Sequence, residues 1–502
     1  MSITTLVYLV LFISVFVYLT ICYLGYKKTN QGSVDDFYLA GRSLGGFVLF
    51  LTVGASWFSM WFLLGATGSF FTHGVGFNSF FILNIVLAMF MFIFGRRLWV
   101  LGKIYGYVTP GDLLGHYYDS KMTRLISSII GVYLLFPYIG IQLLGAGVAF
   151  EVMGSPFWLG IVTMLILVTI YSVAGGLKAV AWTDAVQGLF YMLLSWGLAF
   201  WLLGNGVTGI GSLKDLFIGV QSELPEFLSY PGPSGYFTAA NWFAYIVIYV
   251  MAGICFPHLW TRYYMAKDIK SFKTVSIGHI FFASWGFIPI IIVAMLGRLF
   301  LPEIANPDQV FPTLVLEYSP ILAAIFVAAA FGAAMSTVDS QMFALGTIFT
   351  RDVWKSFIKP DESENRLVWV GRIATLILMA ISVIWTFVAE GSIVALSMIS
   401  FTCAAILFTP MFGAMFYPKA GKYAANVSMA VGFAILLLTS YVYPDPLGVY
   451  GGAYALLGQW ILFFTIAQFE QNQNRERRDK YQRILKIALN EKGEEDSHKA
   501  IS

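Results

Sequence analysis

The sequence predicts an all-α polytopic membrane protein of about thirteen transmembrane helices, and three observations carry that prediction. Of 502 residues, 58% are hydrophobic and only 11% are charged, against roughly 25% charged in a soluble chain. Apolar runs of about 20 residues, the length a bilayer demands, recur along the whole sequence. Lysines and arginines gather in alternate connecting loops. So few charges cannot build a water-facing surface, so a single large membrane domain replaces the roughly three soluble domains that length alone suggests.

The spans are expected at about 4–26, 45–71, 76–95, 125–153, 156–173, 180–204, 238–257, 274–299, 319–349, 368–389, 391–416, 423–443 and 451–469. The first is longer than a signal-peptide core of about 7–15 residues and has no charged leader, so it reads as a retained helix. Cys22, Cys255 and Cys403 all lie in apolar stretches, which argues against structural disulfides. With the N-terminus outside, 28 of the 30 Lys and Arg residues fall on the cytoplasmic side, Arg262 among them, and only Lys214 and Arg298 fall outside. This is the bias of the positive-inside rule. Residues 1–470 thus form the transmembrane domain, and 471–502 a polar cytoplasmic tail. The external segment 205–237 is expected to hold a short helix near 213–219. The absence of a Walker A motif argues against an ATP-driven pump. No metal-ligand cluster and no nucleophile–base pair suggests an enzyme, and nothing points to a bound cofactor or to nucleic acid.

Polar groups inside hydrocarbon are costly and mark function by default. Four places qualify. Gly54, Ser56 and Ser59 weaken the second span at its middle; this reads as a broken helix with free carbonyls beside a cavity, or as small residues for close packing. In the ninth span, Ser336, Asp339 and Ser340 share one helix face, flanked by Thr337. Such hard oxygen donors suit a hard cation such as sodium, although each hydroxyl can also bond back to its own helix. Asp184 enters the sixth span about one turn deep, as a partner of the helix dipole or as a cation ligand facing Asp339 or Ser340. Gly253, Pro257 and His258 close the seventh span, with His258 read as a polar helix end at the inner surface rather than a proton relay. Broken helices in corresponding halves point to a transporter binding site. Spans two and seven stand five apart, so they open two inverted five-helix repeats, at about 45–204 and 238–416.

Together these places resemble the solute:sodium symporter family, whose members include bacterial sodium/proline and sodium/pantothenate symporters. The resemblance runs from about 35 to 415. It is carried by Tyr38-Leu39-Ala40-Gly41-Arg42-Ser43-Leu44-Gly45, Gly54-Ala55-Ser56, Gly175-Gly176 with Thr183-Asp184 and Gln187, Pro257-His258 with Arg262, and Ala333-Ala334-Met335-Ser336-Thr337. It implies the inverted-repeat fold of the bacterial leucine transporter, a cell-membrane location and sodium as coupling ion. It also implies a sodium site of Ala55, Phe58 and Ala333 carbonyls with Ser336 and Thr337 hydroxyls. A second cation site in some relatives maps to Asp184, Asp339 and Ser340; aspartate at 339 departs from the usual serine and opens proton carriage as an alternative.

For the substrate, the stretch 101–110 with Pro137-Tyr138 and the run 142–147 looks most like monocarboxylate and pantothenate carriers of that family. Proline carriers have an aspartate where Trp57 stands. No Lys or Arg is expected deep in any span, so a carboxylate would meet helix N-termini, hydroxyls or the sodium ion. Trp57, Ser59, Trp61, Tyr138, Gln142 and Tyr249 are the pocket candidates, each also readable as packing. A sodium/proline-type amino-acid symporter and a solute-sensing receptor are the alternative functions.

Overall fold

A computed structural model describes residues 3–27, 39–204, 208–470 and 475–489. It is helical almost throughout, as backbone in hydrocarbon must satisfy its own polar groups. The helices in order are α1 (Ile3–Tyr26), α2 (Gly46–Trp57), α3 (Thr67–His73), α4 (Ser79–Tyr105), α5 (Pro110–Tyr117), α6 (Lys121–Val152) and α7 (Phe157–Gly204). Then follow α8 (Leu213–Glu223), α9 (Ala239–Cys255), α10 (Pro257–Tyr264), α11 (Ser271–Phe300), α12 (Val310–Tyr318), α13 (Pro320–Ile348) and α14 (Glu364–Val388). The last are α15 (Ile393–Phe416), α16 (Lys422–Tyr441), α17 (Gly451–Glu470) and α18 (Arg475–Leu489). The helix expected near 213–219 is α8. Lys28, Tyr38 and 490–502 lie outside the described residues, as does the Cys22 side chain; Cys255 and Cys403 are buried free thiols.

Both expected broken spans are present. The chain bends by 59° between Gly46–Trp57 and Trp61–Asn78, and by 49° between Ala239–Cys255 and Pro257–Tyr264. The second break has a simple cause. Pro257 lacks an N–H and drives the residue before it out of the helical region, and Phe256 is extended, at φ −62°, ψ 125°. The first break has no proline. Phe58 is extended, at φ −91°, ψ 105°, and a π-helical turn, Trp61–Ala66, follows it.

Two expectations about the spans are set against the helices here. Ten described helices are long and apolar enough to cross a membrane, or twelve with each bent pair counted as one span. The shortfall from thirteen lies in α7. No turn interrupts it at Gly175-Gly176, because two glycines lower helix propensity without removing a backbone donor. A straight helix of 48 residues would reach about 72 Å, over twice the hydrocarbon thickness of about 30 Å. Its apolar parts, Phe157–Thr169 and Val180–Gly204, therefore cannot share a single crossing. The expectation that is corrected concerns the seventh span, which does not end at Pro257. It continues through α10, all of whose residues are buried.

The connection between α11 and α12 rests on the first broken span. Pro307 O approaches Gly68 so closely that a Cβ there would lie 2.8 Å from it. Beside it, buried Asp308 Oδ2 accepts from Ile393 N–H at the start of α15, at 2.8 Å. Burial raises this carboxyl to about 6, and the Ile393 N–H opposes the rise. A raised carboxyl binds its proton more tightly in the folded state. Its stabilising contribution is therefore complete below about pH 4 and is lost as pH climbs through 6. In thermal unfolding scans, Asp308→Asn should flatten the fall in melting temperature between pH 4 and 7; a pH profile identical to wild type would place the titration elsewhere.

Candidate functional site

The first break brings together α2, α13 and α7. Phe58 N–H reaches Gly54 O at 2.9 Å as the last rung of the α2 ladder. The next carbonyl, that of Ala55, instead accepts from Ser336 Oγ on α13, at 3.1 Å. Ser336 Oγ also lies 3.0 Å from Ala333 O, which accepts from Thr337 Oγ1 at 3.3 Å as well. Two carbonyls and two hydroxyls thus meet in a fully buried place. Each hydroxyl can rotate to offer lone pairs to a cation. Phe58 sits at the same break with its ring among Phe62, Phe282 and Phe287.

One helical turn along α13 lies a charged cluster. Asp184 Oδ2 accepts from Thr52 Oγ1 at 2.7 Å and from Arg262 Nη2 at 2.7 Å. The same guanidinium reaches Ser340 Oγ, Thr52 Oγ1 at 3.2 Å through Nε and His258 O at 3.3 Å. Ser340 Oγ lies 3.0 Å from Asp339 Oδ1. Arg262 is wholly buried in the last turn of α10, which corrects the expectation that it lies in a cytoplasmic loop. The cause is the α10 extension, which carries it back against α7 and α13. Asp184 and Ser340 therefore share one guanidinium nitrogen, Nη2, and Asp339 adjoins Ser340. His258 is also buried and stacks on Tyr138 at 6.0 Å, so it is no helix end at the inner surface.

Several buried polar atoms here have no protein partner: Asp184 Oδ1, Asp339 Oδ2, Ser56 Oγ, Tyr191 Oη and both ends of Gln187. Buried polar atoms are normally satisfied. These orphans belong to α2, α7 and α13, the helices that meet at the first break, and most are oxygens, so the donor set fits a hard cation.

The six pocket candidates converge at the breaks, but in different roles. Gln142 Oε1 accepts from Met60 N–H at 3.1 Å, and its Nε2 reaches Ser59 Oγ at 3.1 Å. Ser59 Oγ accepts from Trp61 N–H at 3.2 Å. These two side chains thus supply the hydrogen bonds that the broken helix lacks. The aromatic candidates form a cage around Phe401 of α15. Its ring centre lies 3.9 Å from Tyr249, 5.5 Å from Trp57, 5.7 Å from Tyr138 and 6.2 Å from Trp61. Trp61 Nε1 and Tyr249 Oη have no protein partner. Sequence reasoning missed Phe401, which is one phenylalanine in an apolar span. It missed Thr52 for the same kind of reason. Arg262 had a signal, a proline-started helical run rich in Trp and Tyr.

Two discontinuous helices around a buried oxygen cluster define a secondary transporter of the inverted-repeat class. The chain belongs to the sodium:solute symporter family, whose model matches residues 37–432. It is similar to the sodium/pantothenate symporter of Haemophilus influenzae, with 27% identity across 92% of this chain and 95% of that one. The sodium/proline symporter of the same organism is 28% identical, across 86% and 88%. Among solved structures, a substrate-bound, outward-open sodium-coupled sialic acid symporter superposes with TM-score 0.78, covering 92% of this chain and 98% of that one at 18% identity. A nucleobase-cation-symport-1 family transporter in a closed conformation gives 0.56 at 14% identity, over 88% and 97%. These likenesses establish the shared fold.

Proposed function

We propose that this protein is a sodium-coupled symporter that carries a small organic acid, of the monocarboxylate or pantothenate kind, into the cell. Secondary active sodium symport is the activity of its family; the substrate class and the residue roles are our reading. The observation that carries it is the Ser336–Ala55 contact, in which a hydroxyl of α13 meets a carbonyl freed by the broken helix. Sodium binds there to Ala55, Phe58, Ala333, Ser336 and Thr337, and so ties α2 to α13. The solute sits against the aromatic cage, with Trp61 Nε1 and Tyr249 Oη as hydrogen-bond partners. An apolar cage suits an apolar body, and the unpartnered donors suit a carboxylate or carbonyl. The orphaned oxygens of Asp184 and Asp339 offer a second place for one cation or one proton. The 28% relative named as a sodium/proline symporter supports an amino-acid substrate as the second reading. Uptake of labelled lactate, pantothenate and proline into proteoliposomes, with and without a sodium gradient, decides between them. An acid should accumulate only with the gradient, and gradient-driven proline uptake alone would favour the second reading.

The proposed orientation places the N-terminus outside and the tail in the cytoplasm. With Arg262 removed from the count, 27 of the original 28 inner charges remain on that side. A reporter fused after Lys359 should register as cytoplasmic and one near Gly232 as external; an external signal at Lys359 would reject this arrangement.

A further inference from the structure

A cavity of about 520 Å³ opens between α5, the start of α6 and the π-helical extension of α13, Phe349–Ile358. Arg124, Arg351 and Lys355 line it, together with Asp112, Tyr107 and His116. Asp112 is shared between the two arginines, 3.2 Å from each. Arg124 Nη1 also bonds Ser356 Oγ at 2.8 Å. Asp352 lies close by, but it is buried and accepts from Thr109 Oγ1 at 2.9 Å. A single carboxylate of the lining, Asp112, holds two guanidinium groups that together have several N–H groups to spare.

A second observation lies beside the cavity. The tail helix α18 packs on its aromatic rim. Tyr481 stacks on Tyr105 at 5.5 Å and meets Tyr107 Oη at 3.0 Å. Gln482 Nε2 donates to Ala414 O at 3.1 Å. Tyr481, Ile484 and Leu485 are buried, while Lys480, Arg483 and Lys486 are exposed at three-residue intervals, which puts them on one face. An amphipathic helix with an apolar side on protein and a basic stripe outward is the form that lies against an anionic membrane surface. A basic pocket between spans on the cytoplasmic side is the form that takes an anionic headgroup.

We propose that this cavity binds the phosphate of an anionic glycerophospholipid from the cytoplasmic leaflet, and that the basic stripe of α18 engages the same leaflet. The proposal rests on the membrane placement given under Proposed function. Arg351 and Lys355 hold the phosphate, Arg124 supports them from below through Ser356, and the tail helix keeps the aromatic rim in place.

Native mass spectrometry of the full-length protein, with phosphatidylglycerol or phosphatidylcholine added to detergent micelles, tests this. Phosphatidylglycerol should be retained and phosphatidylcholine should not. Arg351→Gln/Lys355→Gln should weaken retention about tenfold or more, given about 1 kcal/mol for each basic group near an anionic surface. Lys480→Gln/Arg483→Gln/Lys486→Gln leaves the cavity intact and should reduce association with phosphatidylglycerol vesicles. Equal retention of the two lipids, unchanged retention in the double variant, or full displacement by inorganic phosphate would each overturn the proposal, the last by making the ligand a soluble anion. Sodium-dependent thermal stabilisation measured on the same samples reports folding. The Lys359 reporter tests the membrane placement separately: an external signal there would overturn the leaflet assigned and leave the retention of phosphatidylglycerol standing.

Discussion

Replacing Ser336 and Thr337 together by alanine should raise the sodium concentration for half-maximal uptake by at least about tenfold, and by up to about a hundredfold. Each lost hydroxyl removes one oxygen from a charged ligand, worth about 1.5–3 kcal/mol for a hydrogen bond to a charged group, and neighbouring losses do not add fully. The helix itself should not suffer, because alanine has the higher helix propensity. Ala55 O then faces α13 with its partner gone, since Ser336 Oγ is its cross-helix contact at 3.1 Å. The variant should insert at normal levels and still bind solute at saturating sodium. Uptake titrated against sodium at fixed solute measures the effect, and an unchanged half-saturation point would remove both residues from the site.

The second large effect should come from the pair of Arg262 and Asp184. Both side chains are fully buried, 2.7 Å apart. Removing one partner of a buried pair leaves an uncompensated charge and costs about 3–5 kcal/mol, whereas replacing both with apolar groups is often nearly neutral. Arg262→Met alone and Asp184→Leu alone should therefore lower thermal stability sharply. The double variant should recover most of it and still fail to couple, because the charge that faces the second cation place has gone. Melting temperatures of the four proteins form the cycle. Singles as stable as wild type would mean that water or an ion already satisfies these groups. When all are charged, Asp184, Asp339 and Arg262 carry a net charge of −1, which a single sodium or proton would neutralise. Asp339→Ser should keep sodium-driven uptake, and Asp339→Asn should remove any proton-driven part.

The fold was legible because the bilayer imposes it. Charge scarcity, apolar run length and the two weakened spans are local signals; the second break falls at Pro257, and the first at Phe58, one turn past Gly54. The limit of that reading is shown between the spans expected at 156–173 and 180–204, where α7 runs on without a turn, since glycines lower helix propensity but do not force the backbone to leave the helix. The sodium candidates Ser336 and Thr337 could be read from α13 itself, where hydroxyls recur at helical spacing. Their meeting with Ala55 depends on tertiary packing between elements 281 residues apart. Arg262 was misplaced because a charge after a proline in an apolar run resembles a cytoplasmic loop. Only the buried carboxylate of Asp184, 78 residues away in sequence, makes its interior place affordable. Phe401 had no signal at all: its part in the cage comes from which face of α15 meets the breaks.

The account's central claim is that sodium and solute cross together through the place where α2 meets α13. Paired flux of labelled sodium and labelled solute in proteoliposomes tests this most directly. An inward sodium gradient should drive solute accumulation, and an inward solute gradient should draw sodium in at a fixed ratio, with both fluxes lost together in Ser336→Ala/Thr337→Ala at low sodium. Solute uptake that proceeds at full rate without sodium, and carries none with it, would contradict the account.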